Sequence, residues 1–149
     1  MFSALQKLLS APAPQPAQDL RLSVAILLLE AARQDDVFDA RERAAIETLL
    51  TERFDLTPAE CLALIQAAQS RSAQLVQLHG TTTDIVEGMS PQERVHLIEM
   101  LWDVAYADGV LDPEEDLLIR RIAGLIHVSD RDRVLARQRV MQRKNISIL

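Results

Sequence analysis

A chain of 149 residues with 48% hydrophobic residues is of single-domain size and carries enough apolar surface for a core. Its 16 Lys and Arg against 22 Asp and Glu leave a net charge of −6, which sets the average surface against nucleic acid and anionic lipid. A lone cysteine, Cys61, excludes an internal disulfide and a multi-thiolate zinc site and suits a reducing compartment. The longest apolar run, Val24 to Leu29, falls far short of the roughly 18–20 residues that span a bilayer, and no basic n-region with a long apolar stretch opens the chain. A soluble, cytoplasmic protein without an integral membrane segment is expected.

Residues 1–17 read as an arm. Phe2, Leu5, Leu8 and Leu9 fall on one side of a short amphipathic helix, and the proline-rich stretch Ala11 to Pro16 makes an extended linker. With one lysine the arm lacks the basic face that anionic lipid favours, so packing on its own domain or on a twin is the expected role. Residues 18–149 form the domain. Apolar residues recurring at three and four positions, and only four glycines, predict helices near 18–35, 39–53, 57–70, 74–88, 91–107, 112–126 and 129–143. Thr57-Pro58-Ala59-Glu60 and Ser90-Pro91-Gln92-Glu93 each supply a hydroxyl N-cap, proline at the first helical position and glutamate at the third. Gly80-Thr81-Thr82-Thr83 is the least regular stretch and the expected hinge between two halves. Leu22, Ile26, Leu29, Ile46, Leu49, Leu97, Leu101, Val104, Ile119 and Ile122 are the expected core.

The halves repeat at a shift of 73 positions: Arg21 aligns with Arg94, Leu28 with Leu101, Asp35 with Asp108, Asp39 with Asp112, Glu42 with Glu115, and Ile46 with Ile119. After a one-residue slip, Leu56-Thr57 aligns with Val128-Ser129. Half of such a bundle cannot bury its own apolar face, so a single all-α domain of two pseudo-repeated units, with about seven core helices around one core, is expected.

Each half carries an acidic turn, Asp35 to Glu42 and Asp108 to Glu115. Helix grammar accounts for part of it: Asp39 and Asp112 are good N-caps, and Glu42 and Glu115 at the third position complement the helix dipole. Asp35 and Asp108 are expected to close the preceding helices, where negative charge costs roughly 0.3–1 kcal/mol. Two readings offset that cost. One is an Asx-turn, helped by a left-handed Gly109; the other is a hard cation held by Asp35, Asp39 and Glu42, or by Asp108, Asp112 and Glu115. The spacing is not that of an EF-hand, and oxygen ligands alone favour magnesium, calcium or manganese over zinc or copper.

The phrase Glu99-Met100-Leu101-Trp102-Asp103-Val104-Ala105-Tyr106-Ala107-Asp108-Gly109-Val110-Leu111-Asp112-Pro113-Glu114-Glu115, followed by Leu118-Ile119-Arg120-Arg121-Ile122-Ala123, resembles the signature of the TerB-like family, which includes the tellurite-resistance protein TerB and the N-terminal domains of DjlA-type co-chaperones. The resemblance extends from about Gln18 to Arg143, with the first turn as the weaker copy because Asp36 stands where the second has Gly109. It implies an all-helical fold of two pseudo-repeats, a cytoplasmic location, a link to tellurite resistance or stress response, and an acidic surface cluster read as a metal site. Carried over residue by residue, that cluster is Asp108, Asp112 and Glu115, and, through the internal repeat, Asp35, Asp39 and Glu42.

Other features weigh less. Arg131, Arg133, Arg137, Arg139, Arg143 and Lys144 make the last helix basic, but with no aromatic to stack on a base it reads as a solvated or salt-bridged face for an acidic partner, not a nucleic-acid patch. His79, His96 and His127 lack ligand spacing, Trp102 and Tyr106 lie one turn apart as core residues, and Cys61 reads as a small buried hydrophobe. The glycines form no phosphate loop, and no catalytic residues stand out. The expected function is a non-enzymatic interaction module with a protein partner, self-association as a homodimer being open, and with a divalent cation, calcium or magnesium, as its cofactor. A metal-dependent hydrolase using the same carboxylates and a scaffold without metal are the alternatives.

Overall fold

The computed structural model describes residues 16–32, 40–72, 77–107, 109 and 111–146. Among these residues there are seven α-helices and no strand: α1 (Pro16–Ala32), α2 (Ala40–Phe54), α3 (Pro58–Ser72), α4 (Gln77–Gly88), α5 (Pro91–Ala105), α6 (Pro113–Leu125) and α7 (Asp130–Arg143). The expected amphipathic helix of the arm lies outside the described residues. The α1 helix is the hub of the bundle, packing on α2, α3, α4, α5 and α6, while α7 packs on α5 and α6. That placement explains its sequence: Val24 to Leu29 is buried on every side, so the apolar run is continuous and has no polar stripe. In the second half, Leu97, Leu101, Val104, Ile119 and Ile122 are wholly buried with Trp102, and both halves contribute to one core cluster. Two expected core residues, Leu22 and Leu49, are only partly buried at its margin.

The helix starts follow their sequence signals. At α5, Ser90 Oγ accepts from Glu93 N at 3.2 Å and Glu93 Oε1 accepts from Ser90 N at 3.0 Å. At α3, Thr57 Oγ1 and Glu60 exchange the same pair of bonds at 3.2 and 2.9 Å. The helix ends show the repeat equally well. Asp55 and His127 both adopt positive φ, 54° and 62°. Behind them Leu56 N donates to Thr51 O and Val128 N to Ala123 O, five residues back in each case. A third copy ends α7, where Asn145 (φ 55°) precedes the Ile146 N to Met141 O bond. His127 is thus an exposed helix terminator.

Two expectations are corrected. The stretch Gly80 to Thr83 is not a break but part of α4, because Thr81 and Thr82 turn inward and are buried. The α5 helix ends at Ala105 with Tyr106 as its C-cap, two residues earlier than expected, so Asp108 is not the residue that closes it. Here Ala107 N donates to Val104 O and Gly109, at φ +84°, donates its N–H to Tyr106 O at 2.9 Å, turning the chain out of the helix.

Candidate functional site

Of the six acids expected to form the site, Asp112, Glu42 and Glu115 are described; Asp35, Asp39 and Asp108 lie outside the described residues. Asp112 is the N-cap of α6, in extended conformation (φ −77°, ψ 133°), and its carboxylate accepts from Glu114 N at 2.9 Å. Pro113 supplies the first helical position, where its missing N–H costs nothing. One oxygen of Asp112 is therefore committed to the helix.

Glu42 and Glu115 are the third residues of α2 and α6 and are equivalent through the repeat. Both are buried, at 8% and 5% of full exposure. A glutamate needed only as a helix-dipole complement works at the surface, as Glu60 and Glu93 do, both outside the buried set. Burying a carboxylate costs several kcal/mol unless donors or positive charge compensate it, and both residues take part in polar or electrostatic contacts. Among the described residues no group of three His, Cys, Asp or Glu is arranged to hold a metal ion. The donor set the turns offer is all oxygen, which suits a hard cation.

The basic residues of α7 turn out to be largely internal in their allegiance. Glu99 on α5, its side chain only 11% exposed, accepts from Arg139 Nε at 3.1 Å and from Arg143. Asp103, one turn on, meets Lys144 Nζ at 3.0 Å and Arg143 at 3.4 Å. Arg137 donates from Nε to the Tyr106 hydroxyl at 2.8 Å and lies over the rings of Trp102 and Tyr106, 5.4 and 5.9 Å from their centroids. The acidic partner expected for the last helix is thus, for Arg139, Arg143 and Lys144, the chain's own α5. The clue lay in matched spacing: Glu99 and Asp103 are four residues apart, as are Arg139 and Arg143, so each pair presents one stripe.

Beside this network a cleft of about 430 Å³ opens between α2, α5 and α7, floored by Leu49 and Met100 and rimmed by Glu52, Arg53, His96 and Arg143. Its charges largely neutralise one another, since Arg53 also pairs with Glu93 at 2.8 Å. The second oxygen of Glu93 thereby ties α5's cap to α2. Hydrogen bonds from the Ser90 backbone and hydroxyl, and then Arg53, hold the Glu93 carboxyl below its ordinary pKa; Thr57 does the same for Glu60. His96 is exposed, and Cys61 is buried with its thiol 3.7 Å from Glu47 O, as expected of a small core residue. No helix among the described residues is long and apolar enough to cross a membrane.

Comparison with known proteins agrees with this architecture. No curated protein and no solved structure matches the chain. The family model described as tellurite resistance protein TerB matches residues 21–138, from the second turn of α1 to the middle of α7 and across both acidic turns. Arg139, Arg143 and Lys144, which clamp α7 to α5, lie just past its end. With more than half of its length matched, and with the paired helical units in place, the chain belongs to the TerB family.

Proposed function

We propose that this protein is a non-enzymatic, cytoplasmic TerB module whose two acidic turns bind a divalent cation, calcium or magnesium, and present a surface to a protein partner. The observation that carries the reading is the burial of Glu42 and Glu115, matched carboxylates at the start of matched helices. A carboxylate withdrawn from water at both copies of one turn suits a site that concentrates negative charge for a ligand better than it suits a surface cap. Asp108, Asp112 and Glu115 would hold the ion in the second turn, and Asp35, Asp39 and Glu42 in the first. A bound divalent ion would neutralise the cluster and fix the angle between the helices flanking the turn. The second turn should bind more tightly, because Gly109 takes a left-handed backbone at no steric cost where the first has Asp36.

The test is thermal melting in millimolar calcium, magnesium or manganese against chelator, for the wild type and for Asp108→Asn combined with Asp112→Asn. An ion that binds only the folded state at a hundredfold excess over Kd stabilises it by about 2.7 kcal/mol. The expected result is an ion-dependent rise in Tm that the double variant loses. An unchanged wild-type Tm, or an equal rise in the variant, reduces the turns to helix caps.

A further inference from the structure

We propose that this chain pairs with a second copy of itself through the outer face of α6, the two helices lying antiparallel about a two-fold axis level with Ile119. Leu117 of α6, at 62% of full exposure, is the most exposed large apolar side chain among the described residues. Gly124 stands seven residues on, on the same face of the helix. A Cβ built on Gly124 would meet nothing within 4 Å, whereas one on Gly88 would stand 3.1 Å from Leu20 Cδ1. The chain's own packing thus accounts for glycine at 88 but not at 124, where glycine weakens a helix interior. Leu117 is a knob without a hole, and Gly124 is a hole without a knob. Laid antiparallel, two copies seat each Leu117 beside the partner's Gly124, so the contact is made twice by one self-complementary patch.

Charge fixes both the direction and the occupant. Along α6 the acids of this face come first, exposed Glu114 and half-buried Asp116, and exposed Arg120 and Arg121 follow. An antiparallel pair therefore sets Glu114 against the partner's Arg121 and Asp116 against the partner's Arg120, each within about 5 Å of level along the axes. A parallel pair would set like charge on like. None of these four side chains takes part in an ion pair among the described residues. The internal repeat shows how unusual this face is. In α2, 73 positions earlier, Ala44 stands for Leu117 and Thr51 for Gly124, so there is neither knob nor hole. The α2 counterparts of Asp116 and Arg120 are Arg43 and Glu47, which pair with each other at 3.1 Å. On α6 the corresponding charges are left for a second copy.

The experiment is sedimentation equilibrium of the full chain in chelator, which keeps the result independent of cation binding at the acidic turns. A seam of one helix per copy lies at the small end of protein interfaces, so the mass should climb from 16.7 kDa toward twice that value as the concentration rises to about 1 mM. Leu117→Ser, at an exposed position, should raise the dimer Kd at least about tenfold with Tm unchanged. Arg120→Glu with Arg121→Glu makes the face wholly acidic, and Glu114→Lys with Asp116→Lys makes it wholly basic. Each charge variant alone should stay monomeric while folded by circular dichroism, and an equimolar mixture of the two should form a heterodimer. A wild type that is still monomeric at about 1 mM overturns the proposal. So does a dimer that survives Leu117→Ser or either charge reversal, which would place the contact elsewhere, and so does a mixture that stays monomeric.

Discussion

Glu42, Glu60, Glu93 and Glu115 each stand third in a helix, and the molecule treats them as two pairs. Glu60 and Glu93 fold back on Thr57 and Ser90, whose backbone N–H groups and hydroxyls they engage, and both remain in contact with water. Glu42 and Glu115 follow the acidic turns and are buried. One local position in a helix therefore serves two ends: closing the helix start at the hydroxyl caps, and placing a carboxyl group inside the bundle at the acidic turns. The difference lies in what packs over each helix start, which local sequence does not specify.

The largest expected effect tests the core that supports both pairs. Leu101→Ala, at a wholly buried site on α5, should cost about 2–5 kcal/mol in urea denaturation, and a loss below about 0.5 kcal/mol would mean that the two halves do not share this core. Next comes the contrast itself. Glu115→Gln and Glu42→Gln, each removing a buried charge, should change stability by about 1–3 kcal/mol, and with chelator present the change should turn toward stabilisation if cation binding is what the charge is for. Effects within about 0.5 kcal/mol at both sites would place them with the surface caps.

The smallest effect belongs to the capping pair. Ser90→Ala should cost about 1 kcal/mol at neutral pH. The Glu93 and Glu60 carboxyls titrate below their unfolded value, about 4.3, so their contribution is complete above that pH and is lost as the pH falls through the lowered folded values. Melting between pH 5 and 3 should therefore fall more steeply in the wild type than in Ser90→Ala. A parallel pair of curves would remove the Ser90 hydroxyl from the account of acid sensitivity and leave the Ser90 backbone N–H as the group that lowers the Glu93 carboxyl.

The seven helices, their hydroxyl caps and the repeat were legible because each is written locally. Capping boxes need residues three apart, and the left-handed helix ends at Asp55 and His127 recur where the repeat aligns Leu56 with Val128. The core was legible in the same way, from apolar periodicity, with Leu22 and Leu49 misjudged because periodicity gives the direction of a side chain and not its depth. At the candidate site the sequence supplied the acids and the left-handed Gly109. It placed the end of α5 two residues late, because the bonds that close that helix, from Ala107 and Gly109 to Val104 and Tyr106, compete with continuing it by small margins.

The sequence by itself thus determined the helices, their order and their pairing into two related units, since those depend on contacts within a few residues. Only the tertiary structure decided that Thr81 and Thr82 are buried inside α4 and that Arg139, Arg143 and Lys144 belong to Glu99 and Asp103, about forty residues away. It alone withdrew Glu42 and Glu115 from water while leaving Glu60 and Glu93 in it. Burial and long-range charge pairing are set by which helix lies across another. That depends on the summed packing of the whole bundle, and no local pattern encodes it.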